Sequence, residues 1–511
     1  MVHLFRRQRM RQRERKAAIP QLLIGLFFLI YILRVYAICQ ESIKFDDHFL
    51  DKAMRVNFYQ VGNAKEEKII IHSIYQEDLW PGSKTNLTNP FNYGRYFIKV
   101  YEVATNRLTY AQGFDSLFGE YKTTAPALDG VSKVFQRAIR IPWPKHKINL
   151  VLERRDKNNL LHPLAVETID PDDYHHRKEK NQAGDFIFAE KTSGPPSEKV
   201  DLVFLAEGYM EEEREKFMAD VKKFSGYLLE IEPYKRNQEK FNISGVFRAS
   251  AESGMDEPRQ RTYKNTTLKA SFNAFDLDRY MLTEEGFLVR ELAGQVPYDA
   301  IIILVNSRRY GGGGIYNDFC ITTVDNQASK NVFLHEFGHS FAGLADEYYA
   351  SEVAYNEFYP PGVEPLEPNI TALLDPESLK WKDLLSPGIK IPTEYGKEEI
   401  DRLQAERRAN LQEMNKALEE AKKKNMKEAD IKKLQAKFQE RDKNLQEKIR
   451  AIREKYKDLE DKVGVFEGAG YASKGLYRPM IYCLMISSPK MEFCRVCQRA
   501  IQQMVDYYCG R

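Results

Sequence analysis

The feature that most restricts the fold is a long run, residues 397–463, that contains neither glycine nor proline. Glu, Lys, Arg, Gln, Ala and Leu dominate this run, and its apolar residues recur at spacings of three and four. Such a pattern is typical of amphipathic helices. Because the repeat falters at 422–430, we predict two helical arms that fold into an antiparallel coiled-coil hairpin. One long solvated helix is the alternative.

The overall composition limits the classes of protein to which the chain can belong. A chain of 511 residues can hold two or three domains, each with its own core. The 77 basic and 74 acidic residues give a formal net charge of only +3, so the charge gives no support for nucleic acid as a partner. The 29 Phe and 29 Tyr argue against bulk disorder.

Residues 1–37 have the pattern of an export signal. The basic segment MVHLFRRQRMRQRERK precedes the apolar run LLIGLFFLIYIL, after which Val35 and Ala37 fit a cleavage site. Arg34 interrupts the apolar run before it reaches the roughly 20 residues that a membrane span needs. We expect a cleaved signal peptide, with a retained membrane anchor as the alternative. The protein would then be exported and periplasmic, secreted or associated with the cell surface.

Residues 42–165 alternate short β-rich segments with turn signals. Examples are MRVNFYQVG, EKIIIHSIYQ and GRYFIKVYEVAT. Their spacing and alternation predict an antiparallel β-sandwich domain. Residues 166–198, which include the charged segment DPDDYHHRKEKNQ, are interpreted as a linker.

Residues 199–511 are expected to form a second domain of α/β type. The apolar runs in KVDLVFLAEGY and YDAIIILVNS are typical of strands buried on both faces of a sheet. The segment EEEREKFMADVKKFSGYLLEI between them predicts an amphipathic helix. The chain as a whole is therefore predicted to be α+β, with the hairpin inserted into the second domain.

The segment HEFGHSFAGLADEYY contains the strongest candidate for a chemical site. His335 and His339 are four residues apart, so on a helix both imidazoles leave the same face. Two ligands of a tetrahedral Zn²⁺ need this arrangement, and Glu336 between them could take a proton from water. Gly343 is placed to end the helix. Four apolar residues could bury its other face: Val332, Phe333, Phe337 and Phe341. We predict one catalytic zinc ion.

A zinc site of this type needs a third protein ligand. In metzincins that ligand follows a glycine turn as H-E-x-x-H-x-x-G-x-x-(H/D), whereas this chain has one more residue before the glycine. Asp346 is the closest match. Glu347 is the next candidate, and it could instead hydrogen-bond the second nitrogen of a histidine. Glu352 and Glu357 are more distant options.

Two further segments are candidates for contact with a substrate. The run Gly311 to Gly314 lacks the ending of a phosphate loop, which argues against nucleotide binding. It is either a flexible loop or, at Gly313 and Gly314, a direct contact with a bound peptide. Near the C-terminus, three residues are candidates for stabilising charge on the substrate: Tyr477, Arg478 and Tyr482.

Met485 lies in a segment that could turn beneath the metal, as the metzincin Met-turn does. Met480 and Met491 are rivals for this position. A buried core methionine without a role at the metal is the alternative for all three.

Four of the six cysteines fall in the last 29 residues of the chain. In an exported protein this clustering predicts a C-terminus held by disulfides. The alternative is a structural zinc site that uses Cys494 and Cys497 as a C-x2-C pair. Only one such close pair is present, so we expect disulfides. The six are Cys39, Cys320, Cys483, Cys494, Cys497 and Cys509.

As a set, five segments resemble the IgA metallopeptidase family, metallopeptidase family sixty-four: DLVFLAEGY, GGGGIYNDFCITTVDN, HEFGHSFAGLADEYY, VGVFEGAGYASKGLYRP and CLMISSPKMEFCRVC. The resemblance implies a metzincin-like zinc endopeptidase exported by bacteria, with a β-rich N-terminal domain. It implies His335 and His339 as zinc ligands, Glu336 as general base and Asp346 as third ligand. The hairpin at 397–463 departs from the family pattern. For this reason the resemblance does not identify the substrate, and it does not single out immunoglobulin A.

We therefore expect an exported zinc-dependent endopeptidase that hydrolyses peptide bonds of protein or peptide substrates. One alternative is a cell-surface binding or adhesion protein on a peptidase scaffold, although the intact His, Glu and His argue against it. Another is a zinc amidase that acts on peptidoglycan. The hairpin is a candidate surface for a protein partner, and the N-terminal segment is a candidate for membrane association.

Overall fold

The computed structural model describes residues 43–178, 184–278, 280–349, 358–486 and 491–510. The expected signal or anchor at 1–37, Cys39, Glu352 and Glu357 lie outside these residues. The chain divides into two compact units, Met1–Asp47 and His48–Arg511, and only residues 43–47 of the first are described. None of the helices in the described ranges is both long and apolar enough to cross a membrane.

The N-terminal half of the described chain is mostly β-structure. Its helices are short: α1 (Phe45–His48), α2 (Leu117–Tyr121) and α3 (Ala125–Leu128). Its strands are β1 (Phe49–Gly62), β2 (Glu67–Glu77), β3 (Tyr96–Glu102), β4 (Leu108–Phe114), β5 (Lys133–Pro144), β6 (Ile148–Arg155), β7 (Leu161–Ile169) and β8 (Arg177–Lys178).

These strands form two four-stranded sheets among the described residues, in the orders β5-β1-β2-β8 and β4-β3-β6-β7. Neighbouring strands are antiparallel except for β2 and β8, which are parallel. Antiparallel strands are therefore present where the sequence predicts them. Their arrangement as a sandwich stays a prediction.

The C-terminal half alternates strands and longer helices. Its strands are β9 (Phe186–Lys191), β10 (Val200–Glu207), β11 (Phe241–Phe247), β12 (Ser271–Phe272), β13 (Met281–Leu282), β14 (Ala300–Val305), β15 (Gly312–Ile315), β16 (Phe319–Thr323), β17 (Phe466–Ala469) and β18 (Ala472–Arg478). Its helices are α4 (Arg214–Leu229), α5 (Gly286–Ala293), α6 (Ser329–Ala342), α7 (Lys397–Lys423), α8 (Glu428–Lys455) and α9 (Arg495–Tyr508).

A six-stranded mixed sheet, in the order β15-β16-β14-β10-β11-β9, is the centre of this half. Its four middle strands are parallel, and the edge strands β15 and β9 are antiparallel to their neighbours. Every residue of β10 is buried, as expected for a strand covered on both faces. The mixed α+β class predicted from the sequence is consistent with this arrangement. The metzincin-like arrangement stays a prediction.

Helices cover both faces of the central sheet. On one face, Phe204 of β10 belongs to a core that includes residues of α4, α6 and α9. On the other face, Val203 and Leu205 pack with residues of α5 and with Phe118 of α2. Because α2 and β5 contribute to this second core, the N-terminal β-structure is packed directly onto the C-terminal half.

The interpretation of residues 166–198 as a linker is corrected by the structure. Strand β7 continues to Ile169, β8 pairs with β2, and β9 forms the outer edge of the central sheet beside β11. Short edge strands depend on the partner with which they pair, and they leave little periodic pattern in the sequence.

The segment without glycine or proline forms α7 and α8, which run antiparallel to each other. Ile400 and Leu403 of α7 pack against Leu445 and Ile449 of α8 close to the body of the protein. Farther along, Arg407 donates two hydrogen bonds to the Asp442 carboxylate, at 2.7 and 3.0 Å. Apart from the buried Ala421, the apolar residues beyond this pair are half-buried or exposed, so packing is tightest at the base. The coiled-coil assignment stays a prediction.

Candidate metal centre

The helix α6 presents His335 and His339 on one face and buries the other. Four apolar residues are buried as predicted: Val332, Phe333, Phe337 and Phe341. Gly343 follows the helix in the left-handed conformation, with a φ of 60°, and its N–H donates to the His339 carbonyl at 3.0 Å. This glycine cap turns the chain back toward the histidines, as the sequence predicts.

Both imidazoles direct the same nitrogen toward the cleft. His335 Nδ1 donates to the Leu484 carbonyl at 2.9 Å, and His339 Nδ1 donates to the Leu344 carbonyl at 2.5 Å. A carbonyl can only accept, so in the neutral imidazoles the proton is on Nδ1 and the lone pair of Nε2 is available to bind a metal. The two Nε2 atoms lie 3.1 Å apart.

Asp346 completes the group of three ligand atoms. Its Oδ1 lies 3.0 Å from His335 Nε2 and 3.4 Å from His339 Nε2. Tyr471 donates its hydroxyl hydrogen bond to Oδ2 of Asp346. Asn369 holds the preceding residue, Ala345, through hydrogen bonds to both its N–H and its carbonyl. The buried Asp346 is therefore fixed by neighbours on both sides.

The three atoms fit a zinc ion. Nitrogen or oxygen ligands at about 2.0–2.1 Å on a tetrahedral Zn²⁺ lie about 3.3 Å from one another, and the observed separations are 3.0, 3.1 and 3.4 Å. Two imidazoles and one carboxylate are also the donor set of open zinc sites. His335, His339 and Asp346 could therefore hold Zn²⁺ and leave a position for water or substrate.

The electrostatics of the group favour a bound cation. Burial alone would lower the pKa of His335 and His339, but Asp346 outweighs it, and the pKa of His339 rises to about 9. Burial would raise the pKa of Asp346, but the two imidazoles hold it well below its usual range. A divalent cation can replace the protons that the histidines take up beside this carboxylate.

Glu336 faces the same cleft, which has a volume of about 660 Å³. The edge strand β15 lies against α6 beside it. An added Cβ at Gly312 would lie 3.0 Å from Glu336 Cγ, and one at Gly314 would lie 2.2 Å from the Glu336 carbonyl oxygen. The glycines of this strand allow it to pack directly on the helix, so the interpretation of a flexible loop does not hold for Gly312–Ile315.

The residues predicted to contact substrate differ in whether they line the cleft. Gly314 lines the cleft, whereas Gly313 is directed toward the backbone of Met281. The side chain of Arg478 is buried and donates to the Gly468 carbonyl. Tyr477 pairs through its backbone with Thr371 on a neighbouring segment.

The described residues that line the cleft include none of three candidates: Tyr477, Arg478 and Tyr482. The hydroxyl of Tyr482 instead lies 3.5 Å from Glu460. Their contact with substrate therefore has no support in this geometry.

Met485 lies on a turn beside α6, and the preceding residue of this turn, Leu484, accepts the hydrogen bond of His335. It is fully buried, and a Cβ on Gly338 of α6 would lie 3.0 Å from its sulfur. The Met485 carbonyl accepts the Glu347 N–H at 3.0 Å, which joins the turn to the loop of the third ligand. Met480 packs elsewhere in the same core, and Met491 is partly exposed.

Glu347 has a different role from the one considered in the sequence analysis. Backbone carbonyls, and not Glu347, accept the hydrogen bonds of the second histidine nitrogens. The Glu347 side chain points away from the histidines, into a buried group of three cysteines. Burial raises the pKa of Glu347 well above its ordinary value.

The expectation of disulfides is also corrected in this region. Cys483, Cys494 and Cys497 have free thiols, and the sulfurs of Cys483 and Cys497 are 3.7 Å apart. A disulfide has a sulfur–sulfur distance of about 2.05 Å.

Several residues of the site were not found from the sequence. Tyr348 lines the cleft and stacks on His335, and Tyr471 binds Asp346 from the turn between β17 and β18. Arg95 and Glu120 reach the cleft from the N-terminal β-structure. Tyr348 could have been found from the sequence, because it lies only two residues after Asp346. Tyr471, Arg95 and Glu120 approach from distant parts of the chain, so no local pattern indicates them.

Two family models match the sequence. The one described as IgA Peptidase M64 matches residues 189–505, and the one described as Peptidase M64 N-terminus matches residues 44–164. The first match contains both histidines, Glu336 and Asp346. No curated protein matches the sequence.

Proposed function

The chain belongs to the IgA peptidase M64 family of metallopeptidases, and we propose that it is an exported zinc-dependent endopeptidase. Membership of a peptidase family implies protein or peptide substrates. The proposal adds the metal, the ligands His335, His339 and Asp346, the general base Glu336 and the location outside the cytoplasm.

One observation carries the proposal. Three ligand atoms from α6 and the following loop converge within 3.4 Å of one another beside Glu336, in a cleft large enough for a segment of peptide. Nothing in the packing of a helix requires two imidazoles and a carboxylate to meet in this way. A binding protein that had lost its chemistry would have no reason to keep this geometry together with Glu336.

The chemistry follows from the residue types. A bound Zn²⁺ acts as a Lewis acid on a carbonyl oxygen and lowers the pKa of water from 15.7 toward about 7. Glu336 would accept the proton of the attacking water on its carboxylate and later give a proton to the leaving amine nitrogen. His335 and His339 keep their Nε2 atoms in position through the Leu484 and Leu344 carbonyls.

The location rests on sequence alone. The basic segment and short apolar run in residues 1–37 support export. The family description names immunoglobulin A, but nothing in the cleft selects that protein, so we restrict the proposal to proteins and peptides.

The test uses the purified chain with denatured casein, with and without a chelator, followed by addition of zinc. We expect the chelator to stop hydrolysis, zinc to restore it, and mass spectrometry to find internal cleavage products. Glu336→Gln should retain zinc while turnover falls by at least about 10²-fold. The control is Glu419→Gln, which changes an exposed glutamate of α7.

Three outcomes would count against the proposal. Hydrolysis that persists in the Glu336→Gln variant would exclude the assigned base. Release of single terminal residues would show an exopeptidase. Cleavage of peptidoglycan fragments, with casein left intact, would favour the amidase alternative.

A further inference from the structure

A second group of metal-ligand side chains lies behind the candidate metal centre. It consists of Glu347, Cys483, Cys494 and Cys497, all buried, and their ligand atoms lie within 4.8 Å of one another. None of the four faces the cleft, and none has a part in the proposed hydrolysis.

Three distances within the group are close to, or somewhat shorter than, those expected around one tetrahedral zinc. Two sulfurs bound at about 2.3 Å lie about 3.8 Å apart, and a sulfur and a carboxylate oxygen lie about 3.6 Å apart. The sulfurs of Cys483 and Cys497 are separated by 3.7 Å. Oε1 of Glu347 lies 3.1 Å from the Cys497 sulfur and 3.7 Å from the Cys494 sulfur.

Glu347 provides an independent indication of a missing partner. The residue is fully buried, and Oε2 of its carboxylate has no hydrogen-bond partner among the residues that the structure describes. Its other oxygen accepts a hydrogen bond from Asn369 at 3.0 Å. A buried carboxylate left without a partner is costly, and a cation at the centre of the group would supply one.

The local backbone is arranged to stabilise thiolates. Cys494 is the N-cap of α9, and Cys497 lies in its first turn, where the positive end of the helix dipole favours anionic sulfur. The Cys494 N–H donates to the Cys483 sulfur at 3.2 Å, and the Cys497 N–H donates to the Cys494 sulfur at 3.4 Å. Thiolates, and not thiols, are the form that binds metal.

We propose that Cys483, Cys494, Cys497 and Glu347 bind a second zinc ion with a structural role. Four protein ligands close the coordination sphere, which distinguishes a structural site from a catalytic one. Zinc at this position would join the C-terminal helix α9 to two segments that also build the first centre. These are the loop of Asp346 and the turn of Met485. In an exported protein it would also keep three neighbouring thiols from oxidation.

The first test measures the zinc content of the full chain by inductively coupled plasma mass spectrometry. We expect two zinc ions per chain in the unmodified protein and one in the His335→Ala/His339→Ala variant. The Cys494→Ser/Cys497→Ser variant should lose the other ion. The matched control is Cys509→Ser, at the opposite end of the same helix, which should keep both.

The second measurement does not depend on the folding of the cysteine variant. Cobalt(II) is added to the His335→Ala/His339→Ala variant after removal of zinc, so that only the cysteine group can bind it. We expect a thiolate-to-cobalt charge-transfer band at one equivalent of cobalt, together with the visible bands of a tetrahedral ion. The thiols of Cys483, Cys494 and Cys497 should become reactive to a thiol reagent only after chelation.

The proposal is overturned if this variant gives no charge-transfer band, or if peptide mapping finds a disulfide between any two of Cys483, Cys494 and Cys497. Neither readout uses peptidase activity. A failure of the proposed function and a failure of this inference are therefore distinguishable.

Discussion

Asp346 and Glu347 are adjacent in the chain, but their carboxylates face two different groups of metal-ligand side chains. Oδ1 of Asp346 lies 3.0 Å from His335 Nε2, and Oε1 of Glu347 lies 3.1 Å from the Cys497 sulfur. Successive side chains of an extended segment point to opposite sides, which is how two neighbouring carboxylates can reach two different groups. A change in either carboxylate should therefore affect a different ion.

We predict that Asp346→Ala loses the zinc held by the histidines, whereas Glu347→Gln keeps it and weakens zinc binding at the cysteine group. The reason is that each substitution removes one ligand from one group only. Zinc content and cobalt spectra of the two purified variants provide the measurement. An Asp346→Ala protein with full zinc content at the histidine site would show that another residue is the third ligand.

Tyr471 should increase the zinc affinity of the first centre, because it orients the carboxylate of Asp346. Its hydroxyl donates to Oδ2 of Asp346, so Tyr471→Phe removes an orienting bond and leaves the ligand itself in place. We expect zinc affinity to fall by about 10–100-fold, the usual range for partners of metal ligands. Competition with a chromogenic chelator measures this change, with the exposed Tyr263→Phe as control. An unchanged affinity would limit Tyr471 to packing.

The parts of the site that could be predicted from the sequence are those that depend on local geometry. The spacing of His335 and His339 on one helix follows from the helical repeat. The position of Gly343 as a left-handed cap follows from its freedom to adopt positive φ. In the same way, the continuous apolar runs identify the buried strands β10 and β14.

The parts that could not be predicted depend on contacts between distant segments. Cys494 and Cys497 reach Glu347 across about 150 residues, and no local pattern shows that a carboxylate completes the group. Clustered cysteines in an exported chain predict disulfides on general grounds, and only the distances between sulfurs distinguish them from a metal site. Glu120 reaches the cleft from the other half of the chain for the same reason.

Close packing of β15 on α6 leads to a steric prediction. A Cβ at position 314 would lie 2.2 Å from the Glu336 carbonyl oxygen and 3.1 Å from His339 Cβ, so Gly314→Ala must move the backbone of the helix. We expect a loss of stability of about 1–3 kcal/mol and a fall in turnover of up to about 10²-fold. Thermal unfolding and peptide hydrolysis provide the measurements.

Gly226→Ala is the matched control, because Gly226 lies within α4 and an added Cβ there would meet no atom within 4 Å. This control should gain roughly 0.5–1 kcal/mol from the higher helix propensity of alanine. Equal effects of the two substitutions would contradict the packing argument.

The pH dependence of stability should carry a contribution from Glu120, which accepts a hydrogen bond from the Tyr280 hydroxyl at 2.5 Å. Burial raises the pKa of Glu120 from 4.5 to about 7. The folded state therefore favours the protonated form. Its stabilising contribution is fully present below the unfolded pKa of about 4.5 and is lost as the pH rises through about 7.

Glu120→Gln imitates the protonated side chain, so it should reduce the decline in stability between pH 5 and 7.5 by on the order of 1 kcal/mol. The measurement is thermal unfolding of the unmodified protein and of the Glu120→Gln variant, compared at each pH between 5 and 7.5. Parallel stability curves would show that Glu120 does not titrate differently in the folded state.

The outer part of the helical hairpin should be dispensable for folding and for cleavage of short peptides. Its base is attached to the body of the protein, because Tyr349 donates to Asp401 at 2.6 Å and Lys397 donates to Ser473 of β18 at 2.9 Å. The residues beyond the Arg407–Asp442 pair pack mainly between the two arms.

We therefore predict that replacement of residues 409–440 by a short Gly/Ser linker preserves the thermal midpoint and small-peptide turnover, and changes cleavage of large proteins or binding of a partner. The control replaces residues 398–454, which removes the Asp401 contact with the loop of Asp346 and should lower both stability and turnover. Loss of small-peptide turnover in the shorter deletion would show that the distal arms support the metal centre. Unchanged cleavage of every large substrate would leave the distal arms without a role in substrate selection.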